Sequence, residues 1–341
     1  MPDAPPRAGT LRAPAEPHQR GPAPAPHSAP AGAGLMRYRE AGVDIPRADA
    51  IKRRIGRAVR ATWGTGVRPL ERGFAGVIEW PAGSQLLAAM VHGAKPLAFL
   101  DYIAQERLEP ETVVAAVEGM SRACREVGAA LLGGETAEMP DTYRPLVLDL
   151  AGCMLGVIAA GTVLDGGAVR PGDRLLGLAS SGLHTNGYSL ARRVLADSGL
   201  ALADSLPGSG ERLGDALLAP HRWYGPTLTP ALEAGRVHAL AHVTGGGIAG
   251  NLERVLPVGA RARVDAARWP LPQLFRWLIA AGGIPLEEAR RAFNLGIGMI
   301  VVTAPADTAA LSRDLTRAGE TCFEIGVVES GERGVEWVES P

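Results

Sequence analysis

Short apolar segments alternate with helix-like segments along most of this chain, and this alternation is the feature that most restricts its fold. Apolar runs that end at turns predict buried strands, whereas apolar residues at three- and four-residue spacing predict amphipathic helices. Alternating strands and helices are typical of α/β or α+β architecture. We predict strands at 96–102, 146–150, 153–158, 174–178, 237–242 and 299–303, and helices at 48–62, 111–127, 189–198, 248–255 and 271–281.

Composition divides the chain into a leader and two folded parts. Residues 1–35 are rich in proline and alanine and lack hydrophobic periodicity, which predicts a disordered segment and makes Met36 an alternative first residue. The remaining length suits two domains of ordinary size. A Pro-Gly turn near residue 171 separates the predicted domains 36–168 and 169–341.

Charge and cysteine content exclude several classes of protein. The formal net charge of -1 gives no reason to expect non-specific binding to nucleic acid or acidic membranes. Three widely spaced cysteines argue against a disulfide framework and indicate a reducing compartment. The longest uncharged apolar run, 150–164, is shorter than the ~20 residues that a membrane helix needs. We therefore expect a cytoplasmic protein without a membrane or nucleic-acid partner.

Paired glycines and two carboxylates follow an apolar segment in the stretch 131–140. Gly133 and Gly134 would let backbone N–H groups approach an anion closely. Glu135 and Glu138 would hold the magnesium ion that accompanies nucleotide phosphates. An ordinary glycine turn before a helix would read the same, and the motif alone does not separate the two interpretations.

A second polar stretch, 180–189, follows a predicted strand and opens a predicted helix. Loops in this position favour anions because helix-start N–H groups point at them. His184 is suited to proton transfer near neutral pH, and Asn186 adds an amide. Serine and asparagine are also ordinary helix caps, but capping does not explain the histidine. We therefore expect a ligand-binding loop here.

Two further glycine-rich stretches are candidates for binding. Gly245, Gly246 and Gly247 follow Thr244 between a strand and a helix, where they would expose N–H groups to a substrate phosphate or merely permit close packing. Asn294 stands at a glycine-rich entry into a strand, which is a weaker signal. Polar residues without such a context are assigned to caps, core or surface: Asp149, His221, His238 and Glu253.

Taken together and in this order, these stretches resemble the phosphoribosylformylglycinamidine cyclo-ligase family, also called aminoimidazole ribonucleotide synthetase. The likeness extends from about Tyr38 to the C-terminus and includes, besides the stretches above, 38–44, 99–102, 217–220 and 254–257. It implies a two-domain ATP-dependent ligase in which 36–168 binds ATP and forms a dimeric β barrel. Domain 169–341 would bind the substrate.

The resemblance also implies an activity and roles for residues. Members of the family use ATP and magnesium to close the imidazole ring of formylglycinamidine ribonucleotide in purine biosynthesis, and they are homodimers. His184 and Asn186 would be catalytic, and Asp101 and Glu135 would hold the metal. The residues that would bind ATP or the substrate are Asp101, Gly133, Gly134, Glu135, Thr136, Glu138, Thr244, Gly245, Gly246, Gly247 and Asn294.

Two departures from the family pattern leave alternatives open. The family carries an Asp-Gly-Val-Gly-Thr-Lys loop and an Asn-Asp-Leu motif between Pro81 and His92, and neither occurs in this chain. Gly56 stands where the family has a lysine. The sequence therefore permits an active ligase, a diverged non-catalytic paralogue that binds a ribonucleotide or a partner, or a gene model with a deletion. A barrel shortened near 81–92 also predicts a weakened dimer.

Overall fold

The computed structural model describes residue 61, strands at 67–68, 77–80 and 84–87, and the ranges 92–159 and 161–338. The leader 1–35 and nearly all of the predicted helix 48–62 lie outside these residues. Within the described ranges, no helix combines the length and the apolar composition that a membrane crossing requires.

Within the described residues, six strands form the first sheet, in the order β1-β2-β3-β6-β4-β5. They are β1 (Val67–Arg68), β2 (Val77–Trp80), β3 (Ser84–Leu87), β4 (Lys95–Gln105), β5 (Ala130–Glu138) and β6 (Asp149–Ala159). Neighbours are antiparallel except β4 and β5, which are parallel. Helix α1 (Pro110–Val127) provides the crossover that parallel strands need, and it ends at Gly128, whose φ of 74° suits a left-handed C-cap.

The predicted elements of this half that lie within the described residues are confirmed in type, with two corrections to their bounds. β4 continues past the predicted end at residue 102, so Asp101 lies inside the strand and not at its end. The predicted strands 146–150 and 153–158 are one strand, β6. Leu146 lies in the turn before it, 84% exposed and with a φ of 65°, which explains why an apolar residue there does not extend the strand.

In the described range 161–338, the second sheet also has six strands, in the order β12-β9-β11-β7-β10-β8. They are β7 (Arg174–Ala179), β8 (Ala239–His242), β9 (Ala260–Asp265), β10 (Ile297–Thr303), β11 (Cys322–Ser330) and β12 (Gly334–Val338). All neighbours are antiparallel except β12 and β9. The helices of this half are α2 (Tyr188–Ser198), α3 (Leu213–Leu217), α4 (Gly225–Glu233), α5 (Gly247–Leu252), α6 (Gln273–Gly282), α7 (Leu286–Ala292) and α8 (Pro305–Arg317).

Both faces of the second sheet are covered by helices. One face, which includes Leu175 and Ile300, packs in a buried cluster with α5. The opposite face, which includes Leu176 and Val301, packs with α4 and α8. A third cluster around Phe275 joins α2 to α6. Burial on both faces explains the nearly continuous apolar composition of β7 and β10, which made these strands predictable.

The mixed α/β architecture predicted from the alternation is confirmed. The strands of the first sheet end at residue 159 and those of the second begin at residue 174. A domain boundary between 168 and 169 stays a prediction, as does the β barrel of a dimer.

Candidate active site

The paired glycines lie in a strand and not in a loop. β5 runs from Ala130 to Glu138 and pairs in parallel with β4, so that Gly134 lies opposite Asp101. A Cβ at Gly134 would lie 2.1 Å from both the backbone oxygen and Oδ1 of Asp101. Gly134 is therefore required by the close approach of two strands, and the expected glycine turn is a strand instead. A role of Gly133 and Gly134 in nucleotide binding stays a prediction.

The two carboxylates expected to hold magnesium lie on opposite faces of the first sheet. The side chain of Asp101 occupies the face on which a Gly134 side chain would stand. Glu135 follows Gly134 within an extended strand, and successive strand residues face opposite ways. A metal ion shared by Asp101 and Glu135 therefore does not fit this arrangement. Thr136 lies on the face of Asp101, as does Glu138, whose carboxylate accepts from Leu108 N–H at 3.1 Å.

His184 is held in a strained backbone conformation after β7. Its φ is 59°, and its side chain is 4% exposed. Nε2 accepts a hydrogen bond from Ser181 N–H at 3.1 Å, so the proton of the neutral ring lies on Nδ1, which is buried without a hydrogen-bond partner among the described residues. Space for the ring depends on Gly298, because a Cβ there would lie 2.4 Å from Cε1 of His184.

Asn294 ties the beginning of the His184 loop to the start of β10. Its Oδ1 accepts from the Ser180 hydroxyl at 2.9 Å and from Gly296 N–H at 2.8 Å, while Nδ2 donates to Gly182 O at 2.8 Å. The side chain is buried, so its hydrogen bonds hold two loops together. Direct contact between Asn294 and a nucleotide stays a prediction.

The glycines after Thr244 are partly used for packing. Gly246 N–H donates to Arg291 O and Gly247 N–H to Thr244 O, so in this conformation neither is free for a phosphate. A Cβ on Gly247 would lie 1.7 Å from the backbone oxygen of Arg290, which explains this glycine by close packing. A Cβ at Gly245, in contrast, would lie 3.3 Å from Oδ1 of Asn186.

The structure therefore brings the three C-terminal loops together and leaves the acidic strand in the other sheet. Gly245 meets the Asn186 side chain, and Asn294 binds the backbone of the same loop. Asp101 and Glu135 belong to β4 and β5 of the first sheet. The roles assigned to these residues by resemblance stay predictions.

Two histidines lie beside His184, and the sequence indicates no functional role for either of them. The ring of His221, which precedes α4, stacks on that of His184 with a centroid distance of 4.0 Å. Nε2 of His221 lies 3.1 Å from Nε2 of His242, the last residue of β8. These three residues are far apart in the sequence and meet only in the folded chain. The sequence indicates a cap, core or surface position for His221 and does not predict its contact with the other two histidines.

The histidine group is kept neutral. Burial, together with the neighbouring His221, lowers the pKa of His184 to about 3, and burial lowers the pKa of His242 to about 4. His221 is exposed as a residue, but its ring is partly desolvated where it stacks on His184, and this desolvation lowers its pKa. At neutral pH all three rings therefore carry lone pairs rather than positive charge.

A large cavity opens beside this group. Its volume is about 830 Å³, and His221, His242, Thr244 and Asn251 contribute to its wall. Its wall also contains Lys95, near the start of β4. The size falls within the range of small-molecule sites.

Comparison with known proteins identifies the family of the chain. Residues 87–158 match the model of the AIR synthase related protein, N-terminal domain, and residues 170–339 match that of the C-terminal domain. The chain belongs to the AIR synthase related family. It is 39% identical over 320 residues to the phosphoribosylformylglycinamidine cyclo-ligase, chloroplastic, of Arabidopsis thaliana, which covers 87% of this chain and 82% of that protein.

A bacterial relative matches this AIR synthase related chain over nearly its whole length. The phosphoribosylformylglycinamidine cyclo-ligase of Burkholderia multivorans is 38% identical over 344 residues, covering 91% of this chain and 97% of that protein. The match extends through both family models. The family resemblance drawn from the sequence motifs is therefore confirmed.

Solved structures share the fold of this family member at low sequence identity. Thiamine-monophosphate kinase from Stenotrophomonas maltophilia superposes with a TM-score of 0.57 at 19% identity, covering 82% of this chain and 93% of that chain. Hydrogenase maturation protein HypE in complex with ATP gives a TM-score of 0.55 at 20% identity, covering 73% and 72%. These likenesses show the AIR synthase fold.

Proposed function

We propose that the chain catalyses the ATP-dependent ring closure of formylglycinamidine ribonucleotide to aminoimidazole ribonucleotide in purine biosynthesis. The observation that carries this proposal is the 38% identity to a phosphoribosylformylglycinamidine cyclo-ligase of which 97% is covered. The relatives reported above share that name, and nothing in the comparisons favours a non-catalytic paralogue.

The reaction requires the formyl amide oxygen to be activated by phosphoryl transfer and the amidine nitrogen to be held beside the activated carbon. We propose that the side chain of Asn186, whose Oδ1 lies next to Gly245, orients the polar substrate. The cavity would shield the reacting groups from water. His184 is buried and neutral, which supports a positioning role for it in the loop, and a direct catalytic role stays a prediction.

ATP is the proposed phosphoryl donor. The exposed strand segment from Gly133 to Glu138 carries the residues that the resemblance assigns to the nucleotide. Asp101 and Glu135 do not form one magnesium site because they lie on opposite faces of the sheet. We therefore assign no step of the reaction to a magnesium ion held by this pair.

A homodimer and a cytoplasmic location are part of the same proposal. Large apolar side chains are exposed on strands of the first sheet, among them Leu132 at 67% on β5 and Leu150 at 49% on β6. Exposed apolar patches mark protein–protein interaction sites, and we propose that these side chains belong to the dimer interface. Three unpaired cysteines support a reducing compartment.

Release of ADP tests the proposed reaction. We expect the full chain, supplied with magnesium and ATP, to release ADP only when formylglycinamidine ribonucleotide is present, with one aminoimidazole ribonucleotide formed for each ADP. Asn186→Ala should lower kcat/KM, whereas Thr316→Ala on the exposed side of α8 should not. Folded protein that binds the ribonucleotide in calorimetry but releases no ADP would instead support the non-catalytic paralogue.

A further inference from the structure

Three imidazoles from separate parts of the chain converge at one edge of the second sheet. His184 follows β7, His242 ends β8, and His221 lies between α3 and α4. One nitrogen from each ring lies within 4.8 Å of one nitrogen from each of the others. The Nε2 atoms of His221 and His242 are 3.1 Å apart and joined by an N–H···N hydrogen bond. A metal ion would replace this bond once the donor ring carries its proton on Nδ1, and the separation is close to the roughly 3.3 Å edge of a tetrahedron with metal–nitrogen bonds of about 2.0 Å.

The protonation state of the rings suits metal binding. The hydrogen bond from Ser181 N–H identifies Nε2 as the nitrogen of His184 that carries a lone pair. Burial lowers the pKa of His184 and of His242 far below neutral, so these rings do not carry charge that would repel a cation. Neutral imidazole is the form in which histidine binds metal ions.

We propose that His184, His221 and His242 bind one divalent transition-metal ion of the Zn²⁺ type through their Nε2 atoms, with its fourth coordination position open to the cavity. Three histidines with an open fourth position are the donor set of zinc sites that keep a water or a substrate atom on the metal. Imidazole nitrogens suit zinc, cobalt, nickel and copper, whereas magnesium prefers oxygen ligands. His221 and His242 both line the cavity, so a ligand atom from that side can reach the open position.

Binding requires one ring to turn. The rings of His184 and His221 are nearly parallel, with an interplanar angle of 20°, and in-plane lone pairs on parallel rings do not meet at one ion. His221 is exposed, so it can rotate out of the stack, whereas His184 is buried. The ion would also replace Ser181 N–H at Nε2 of His184, and the exposed Ser181 can turn this N–H to water.

A positive charge near the group is already neutralised. Arg222, whose charge contributes to the low pKa of His184, pairs through Nε with the buried carboxylate of Glu320 at 2.8 Å. The same side chain donates to Gly319 O at 2.9 Å. The guanidinium is thus held by partners on the α8–β11 connection, which limits its repulsion of a bound cation.

Metal titration of the full, untagged chain tests this site. We expect Co²⁺ to bind at one equivalent with the intense visible absorption of a four-coordinate ion, and Zn²⁺ to displace it, while excess Mg²⁺ leaves the spectrum unchanged. His221→Ala should weaken Zn²⁺ binding by more than about 100-fold, since loss of a ligand exceeds the 10- to 100-fold effect of losing an outer partner. His238→Ala removes an imidazole that pairs with Asp173 outside the group and should leave the affinity unchanged.

The result does not depend on the proposed reaction, because the titration contains no substrate. Since His221 is exposed, we expect His221→Ala to keep the fold, and its thermal melting curve checks this. Absence of one-equivalent Co²⁺ binding by the native chain would overturn the proposal. Equal binding by the native chain and His221→Ala would also overturn it, since the ion would then sit on other histidines.

Discussion

Asp101 fills the space that a side chain at Gly134 would occupy, with both its backbone oxygen and its Oδ1 2.1 Å from the position of a Cβ. The contact joins β4 to β5 at the point where their parallel pairing places these residues opposite each other. Gly134 is therefore explained by strand packing in the first sheet, whatever ligand binds nearby.

We expect Gly134→Ala to lower the free energy of unfolding by about 1–3 kcal/mol, the usual cost of overpacking. Thermal or urea unfolding measures it. Adding Asp101→Ala should restore little of the lost stability, because the backbone oxygen of residue 101 still lies 2.1 Å from the new Cβ. Gly334→Ala is a matched control in a strand, since a Cβ there meets nothing within 4 Å. Equal stability of the Gly134 and Gly334 variants would contradict the contact.

The sequence predicted the second sheet better than the first for a physical reason. Strands β7 and β10 are apolar throughout because both faces are buried, and this composition is visible locally. β5 contains paired glycines and carboxylates, which locally predict a turn. Its extended form is set by pairing with β4, and Gly134 is required by Asp101, a contact that no local pattern contains.

The candidate site shows the same limit. The loop around His184 was predictable because its polar residues follow an apolar strand and precede a helix. The approach of His221 and His242 depends on the path of the chain between α3 and α4. The opposite faces of Asp101 and Glu135 depend on strand register, which a loop interpretation of β5 could not supply.

Asn294 should be a structural link between two loops. Asn294→Ala leaves the Ser180 hydroxyl, Gly296 N–H and Gly182 O without this partner. Each unsatisfied group costs about 1–3 kcal/mol, so we expect the free energy of unfolding to fall by about 3 kcal/mol. Ser180→Ala removes one of these bonds and should cost less. Chemical unfolding of both variants measures the difference, and a neutral Asn294→Ala would refute the link.

Arg222 should stabilise the chain mainly through Glu320. The Glu320 side chain is 1% exposed and accepts from Arg222 Nε and from the Thr227 hydroxyl, both at 2.8 Å. Arg222→Met leaves this carboxylate without its cation, so we expect the free energy of unfolding to fall by about 3 kcal/mol. This value is at the lower end for breaking a buried ion pair because the Arg222 side chain is 38% exposed. Adding Glu320→Gln should recover part of the loss; no recovery in the double variant would contradict the pairing.

The contact between Arg236 and Asp314 should make stability depend on acidity. Arg236 Nη1 donates to Asp314 Oδ2 at 2.8 Å, and this hydrogen bond lowers the pKa of Asp314 below its usual 3.8. A carboxyl group whose pKa is lower in the folded state stabilises the fold at pH values above its unfolded pKa. This contribution is lost as the pH falls through the folded-state pKa. Asp314→Asn should therefore lower Tm at pH 7 and match the native chain at strongly acid pH. A difference in Tm that stays constant with pH would refute this assignment.

Leu132, on β5, should contribute to self-association of the chain. Its side chain is 67% exposed, and a carboxylate placed at an apolar interface would be buried without a partner. We expect a weak dimer for the native chain in sedimentation equilibrium, and Leu132→Asp should shift it to monomer with little change in Tm. Leu286→Asp, at a residue 49% exposed at the start of α7, places the same charge in the other half of the chain and should leave the association unchanged. If both variants associate as the native chain does, this face of the first sheet is not the dimer interface.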